Sequence, residues 1–252
     1  MRYLVLSDIH ANQIAFEAVL THAGRQRWDK AVFLGDVVGY YTAPEEATRM
    51  LRELDPEVAI LGNHDALLLA STQQSGLVSG EEGMVADIIT RHTSELSKES
   101  LGFIHKLRSH VLTDGWEAAH GALRRPWEYM TNLPSAQANL PLLQRRLCLV
   151  GHTHVPAAYA CVNTGTGDIW RSVSFRSERA VYRIPPKARV FFNPGSVGQP
   201  RDGIPQASYA VFDEDAQVIE HFRVPFDIVK VQRQVRTRGY PDVLATRLDL
   251  GR

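Results

Sequence analysis

The sequence predicts an α/β fold: a mainly parallel sheet with helices against it, followed by a strand-rich second half. Two observations carry this expectation. From Tyr3 to Leu61 short apolar runs alternate with amphipathic stretches, and from Val111 onward strand-like runs follow one another with brief connections. A chain of 252 residues with a hydrophobic fraction of 44% can bury a sizeable core, so residues 1–252 are expected to form a single domain.

The elements follow in order. Tyr3 to Leu6 is strand-like, and Asn12 opens a helix with Ile14, Ala18, Val19 and Ala23 on one face. Ala31 to Leu34 is the second strand. A glycine-rich turn then leads to a helix from Pro44, a good first-turn residue, to Leu54. Val58 to Leu61 is the third strand. Glu81 to Leu107 reads as two helices broken near Leu96-Ser97, with Ser97 as the cap of the second.

Strands are next expected at Val111-Leu112, Trp116 to Ala119, Arg146 to Val150, Ala157 to Val162, Arg189 to Phe192 and Ser208 to Phe212. Val218 to Val224 pairs with the last of these across Asp213-Glu214-Asp215. With the helical stretches Phe226 to Arg238 and Pro241 to Leu248, it makes a tail, 213–252, behind a core of 1–212. Residues 163–186 interrupt the order with polar sequence, in which Ile169 to Phe175 alternates as a hairpin arm would.

Composition narrows the function. Lys+Arg and Asp+Glu balance at 28 each, so no global basic field recruits nucleic acid or an anionic membrane. No apolar run approaches the ~20 residues that span a bilayer, and Tyr3 to Leu6 is too short for a secretory leader. The two cysteines, Cys148 and Cys161, fit a reducing compartment better than a disulfide framework. A cytoplasmic protein is expected.

The informative feature is what ends the apolar runs. Leu4-Val5-Leu6 ends in Ser7-Asp8-Ile9-His10, Val32-Phe33-Leu34 in Gly35-Asp36, and Ala59-Ile60-Leu61 in Gly62-Asn63-His64-Asp65. Glu117-Ala118-Ala119 ends in His120-Gly121, and Cys148-Leu149-Val150 in Gly151-His152-Thr153-His154. Ligands bind at the C-terminal ends of strands in open α/β sheets. An extended chain would point Asp8 and His10 the same way, and likewise His152 and His154. Imidazole and carboxylate with one amide oxygen suit divalent Mn, Fe or Zn, with Ni or Mg as further candidates.

Each residue alone has a blander role. Asp8 and Asn63 are the types that cap helices, Asp36 the type that stabilises a turn, and a lone His120 is commonly a satisfied core histidine. Five ligand-type strand ends, four of them beside glycine, are too many for that account. His22, His92, His105, His110 and His221 lie outside these motifs and read as solvated or structural.

Taken in order, the five motifs resemble the signature of the calcineurin-like metallophosphoesterase superfamily, within its small prokaryotic phosphodiesterase-type branch. Asn193-Pro194-Gly195-Ser196-Val197-Gly198 resembles a turn that follows them in small members. The resemblance implies a four-layer αββα sandwich of two mixed sheets flanked by helices, with a dinuclear metal site at the strand C-terminal edge. It implies Asp8, His10, Asp36 and His154 on one metal, Asp36, Asn63, His120 and His152 on the other, and a hydroxide shared by the ions as nucleophile. His64 then acts on the leaving oxygen as proton donor or charge stabiliser, and Asp65 orients that imidazole or caps the next helix. Protein phosphatases of the superfamily carry Gly-Asp-x-Val-Asp-Arg-Gly, and Gly35-Asp36-Val37-Val38-Gly39-Tyr40 lacks that Asp and Arg. The substrate expected is therefore a small, nucleotide-like phosphodiester; a phosphomonoester or a dinucleoside polyphosphate is the alternative. Arg124 and Arg125 follow the His120 strand end and Arg201 follows the Asn193–Gly198 turn; all three are candidate substrate contacts. The absence of a basic, aromatic-interleaved stripe speaks against a nuclease, and a non-catalytic scaffold would have lost ligands that are all present here.

Overall fold

The computed structural model describes residues 1–71 and 80–252. Strand β1 (Arg2–Leu6) leads into helix α1 (Gln13–Ala23), where the Asn12 side chain accepts from the Ala15 N–H at 3.2 Å as the predicted cap. Next come β2 (Lys30–Phe33), α2 (Pro44–Glu53) with Pro44 in its first turn, and β3 (Val58–Ala59). Three helices follow: α3 (Asn63–Ser71), α4 (Gly80–Glu95) and α5 (Lys98–Ile104), the last capped by Ser97.

The second half holds β4 (His110–Leu112), β5 (Glu117–Ala119), α6 (Leu133–Asn139), β6 (Leu147–Leu149), β7 (Ala157–Asn163), β8 (Asp168–Ser174), β9 (Arg179–Arg183) and β10 (Arg189–Asn193). The hairpin β11 (Ala207–Asp213) and β12 (Val218–Val224) precedes α7 (Ile228–Thr237) and α8 (Asp242–Leu250).

The described strands form two six-stranded mixed sheets, ordered β3-β2-β1-β11-β12-β9 and β4-β5-β6-β10-β7-β8. The expectation of a mainly parallel sheet needs correcting. Only β1, β2 and β3 run parallel in the first sheet, because β11 returns from the second half to pair antiparallel with β1, Leu4 opposite Val211.

Both faces of β1 are buried, which explains its unbroken apolar run. Leu4 and Leu6 face the helical layer with Phe16, Leu51, Leu68 and Ile104, whereas Tyr3 and Val5 face Trp116, Leu149 and Phe192 of the opposing sheet. The second sheet turns Cys148, Tyr159 and Phe191 outward onto Ala136 of α6 and Leu143. The result is helix, sheet, sheet, helix. Helices α7 and α8 add a further cluster, Val231, Val235 and Leu244, against Tyr40 and Tyr41.

Two elements were not foreseen. Helix α6 is short, but Asn132 and Ser135 form a reciprocal capping box with a proline in the first turn. Strand β9 lies in the polar interruption, where Ile169 to Phe175 forms most of β8. These two strands edge different sheets and are largely exposed, so neither shows a core pattern. Both cysteines are free and buried.

Candidate metal centre

The turns after β1 and β2 are laced together by their backbones. Asp8 N–H donates to Gly35 O (2.9 Å), His10 N–H to Asp36 O (3.0 Å) and Ala11 N–H to Val37 O (2.8 Å). The Asn193–Gly198 turn supports the same segment, with Val197 N–H on Ser7 O at 3.0 Å and Gly198 N–H on Asp8 O at 2.9 Å. Asp8/His10 and His152/His154 do not converge through the extended backbone that their i, i+2 spacing predicts. The strands end at Leu6 and Leu149, and Asp8, His10, Asp36, His152 and His154 all have positive φ, between 52° and 69°. Left-handed backbone is disfavoured for such residues, and its clustering here is strain of the kind found at functional sites.

Four imidazoles are aimed by the same device. His10 Nδ1 lies 3.0 Å from Val38 O, His120 Nδ1 2.6 Å from Leu34 O, His154 Nδ1 2.6 Å from Gln199 O, and His152 Nε2 2.8 Å from Trp127 O. A carbonyl only accepts, so each of these nitrogens carries a proton; in His10, His152 and His154 the other is left as a lone pair, whereas His120, beside the Asp36 carboxylate, keeps a proton on Nε2 as well near neutral pH. The second ring nitrogens of His10, His120 and His154 turn toward the carboxylates. His154 Nε2 is 3.3 Å from Asp8 Oδ1, His120 Nε2 is 3.3 Å from Asp36 Oδ2 and 3.1 Å from Asn63 Oδ1, and His10 Nε2 is 3.7 Å from Asp36 Oδ2.

Among the described residues, three clusters have ligand atoms mutually within 4.8 Å: Asp8, His10 and His154; His10, Asp36 and His64; Asp36, His120 and His152. Two details fit a cation. Asp8 Oδ1 is buried without a hydrogen-bond partner, and the unprotonated Nε2 atoms of His10 and His154 face each other at 3.0 Å, a repulsion that a positive ion relieves.

Electrostatics agree. Burial raises the Asp8 and Asp36 carboxyls, but the surrounding imidazoles outweigh it and hold both below the usual range. Burial lowers His10, His64 and His154, and takes His152 down to about 4. For His120 burial is overcome by the Asp36 carboxylate, which raises it to about 9.

Helix α3 begins at this cluster. Asp36 Oδ1 accepts from the His64 N–H at 2.8 Å, so the carboxylate also caps α3. Asp65 reaches back to the Gly62 N–H (3.1 Å) and accepts from Asp36 N–H (2.8 Å), Val37 N–H (3.0 Å) and Val38 N–H (3.3 Å). Its carboxylate thus joins the start of α3 to the turn carrying Asp36, and makes no hydrogen bond to His64 Nδ1. Glycine is required beside it: Gly39 has φ +96°, and a Cβ there would lie 2.5 Å from His64 Nδ1.

The cluster lies in the floor of a cleft of about 650 Å³, whose walls include Tyr40, Leu67, Val85, Trp127, Tyr129 and Arg201. Tyr129 is 49% exposed and stacks on His152 at 4.0 Å between ring centres. Arg201 reaches this cleft; Arg124 and Arg125 do not line it. Arg124 is held by Glu128 four residues on, and the loop presents Trp127 and Tyr129 instead. Spacing gave no sign of His92. It is buried in α4 and bridges the Gly39 N–H (3.2 Å) and Tyr41 O (2.8 Å), fixing the loop that carries Tyr40.

Residues 1–217 match the family model of the calcineurin-like phosphoesterase superfamily domain. The chain is 33% identical over 254 residues to protein MJ0912 of Methanocaldococcus jannaschii, covering 98% of this chain and 97% of that one. It is similar to the crystal structure of a metallophosphoesterase from Sphaerobacter thermophilus, at 37% identity, full coverage of both chains and a TM-score of 0.85. Protein PH1004 of Pyrococcus horikoshii shares the fold at 18% identity, with a TM-score of 0.74 over 100% of this chain and 98% of that one.

Proposed function

The chain belongs to the calcineurin-like phosphoesterase superfamily, a family of metal-dependent phosphoester hydrolases, and from that premise we propose that it hydrolyses a small, nucleotide-like phosphodiester at a two-metal centre. The supporting observation is the convergence of carbonyl-anchored imidazoles on two buried carboxylates at the floor of one cleft. Asp8, His10, Asp36 and His154 would hold one divalent ion, and Asp36, Asn63, His120 and His152 the other, with Asp36 shared. Mn, Fe or Zn suits these donors. Such ions, when bound, supply an activated water and neutralise charge on the phosphoryl group.

The chain's own residues do the rest. The carbonyls of Val38, Leu34, Trp127 and Gln199 hold the imidazoles in one orientation. His64, whose Nδ1 is buried without a partner, stands beside His10 with ring centres 4.9 Å apart and supplies a proton or hydrogen bond to the leaving oxygen. Trp127 and Tyr129 offer aromatic faces on which a base can stack, which supports a nucleotide-like substrate. We further hold that residues 1–252 act as one domain and that the protein works in the cytoplasm; no helix among the described residues is long and apolar enough to cross a membrane.

Added Mn²⁺ is expected to switch on hydrolysis of bis(p-nitrophenyl) phosphate by the purified chain, and His64→Ala to lose most of that activity while keeping its metal. If no divalent ion elicits hydrolysis of any mono- or diester, the chain is a scaffold on this fold.

A further inference from the structure

We infer that Arg201, oriented by Tyr40 and Gln199, is the anion-binding residue of the cleft and takes a non-bridging oxygen of the substrate phosphate; this rests on the hydrolytic function proposed above. Arg201 lines the cleft together with Asp36, His64 and His154, and its backbone N–H donates to His154 O at 3.2 Å. Its guanidinium is held on two sides. Nε and Nη2 donate to Gln199 Oε1 at 3.0 and 2.7 Å, and Nη2 also donates to Tyr40 Oη at 3.0 Å. The same group lies 5.5 Å from the centre of the Tyr40 ring. Nη1 has no partner among the described residues, and none of their carboxylates forms an ion pair with this cation. Neutral acceptors therefore fix the fork without a directly paired carboxylate, and leave Nη1 open among the described residues. A partly desolvated guanidinium in that state favours an anion, and its planar donors suit phosphate oxygens.

The loops carrying both members of this pair are anchored from outside the matched family span, which ends at residue 217. Asp202, next in the chain, pairs with Arg223 of β12. Gly203 N–H donates at 3.0 Å to the carbonyl of Gly251, the left-handed cap of α8. Arg238, the cap residue of α7, donates to Thr42 O, and the Arg247 guanidinium of α8 lies 5.8 Å from the Tyr40 ring centre. The C-terminal segment thus grips the Tyr40 loop and the Arg201 loop together, and is the positioning element for Arg201.

Inorganic phosphate is the probe, with binding to the Mn²⁺-loaded full chain followed by calorimetry, which needs no turnover. Arg201→Gln is expected to weaken phosphate binding about ten- to a hundredfold, with metal content unchanged and Arg201→Lys in between. In the ester assay KM for bis(p-nitrophenyl) phosphate is expected to rise by a comparable factor. Tyr40→Phe, which keeps the guanidinium and removes one acceptor, is expected to weaken phosphate several-fold, and it carries the test should Arg201→Gln lose metal or fail to fold. Phosphate binding as tight in the variants as in wild type overturns the assignment. Wild-type protein that binds phosphate through Arg201 yet hydrolyses no ester would refute the hydrolytic function alone.

Discussion

Replacing His92 with leucine probes the loop that frames the centre without touching a candidate ligand. His92 is fully buried, accepts from the Gly39 N–H and donates from Nε2 to Tyr41 O. Leucine leaves both backbone groups unsatisfied, at about 1–3 kcal/mol each, so a loss of roughly 2–6 kcal/mol is expected near neutral pH. The pH dependence gives a second, independent reading. Burial lowers His92 from 6.5 to about 3 in the folded chain, so below pH 6.5 the unfolded chain takes up a proton that the folded chain refuses. The histidine's contribution is therefore full above pH 6.5 and shrinks as pH falls from there toward 3, by about 1.4 kcal/mol per unit. Leucine has no such term. In urea unfolding of the metal-free proteins, the stability gap between wild type and His92→Leu is expected to narrow by about 2 kcal/mol between about pH 7.5 and about pH 5. A gap that stays constant with pH would refute the buried, neutral histidine and the bridge built on it.

Other expectations follow from the same contacts. Gly39→Ala places a methyl 2.5 Å from His64 Nδ1 in left-handed backbone, so activity is expected to fall at least tenfold with metal retained; near-wild-type turnover would count against His64 as the acid. His120 is held at about 9 by Asp36, so manganese uptake near neutral pH is expected to release its proton and to tighten as pH rises toward 9. Calorimetry in buffers of different ionisation enthalpy reads that proton, which His120→Asn removes. Tyr129→Ala takes the stacked ring from His152 and is expected to raise KM severalfold for nucleotide diesters but not for small alkyl diesters. Equal effects on both classes would remove the case for base stacking.

The strand ends were legible because their chemistry is local. Asp8, Asp36, Asn63, His120 and His152 each stop an apolar run, and five such ends together are more than caps and turns account for. How the side chains converge was not legible: the i, i+2 spacing suggested extended backbone, and only the neighbouring glycines hinted at left-handed turns. The outward partners were hidden for another reason. Val38, Leu34, Trp127 and Gln199 bind histidines through carbonyl oxygens, which every residue possesses, so side-chain identity carries no trace of the role. His92 acts across a long sequence separation and carries no motif, whereas Arg201 was marked only by following the Asn193–Gly198 turn, with no sign of its Tyr40 partner. Strand β9 escaped notice because an exposed edge needs no apolar alternation. The layered core was the readiest part to read, since strands buried on both faces must be apolar throughout.

Anomalous scattering at the manganese edge from crystals of the Mn²⁺-loaded chain tests the two-metal centre most directly. Two peaks per chain are expected, one against Asp8, His10 and His154 and one against His120 and His152, with Asp36 touching both. A single peak away from Asp36, or no peak in a chain that still hydrolyses phosphoesters, would contradict it.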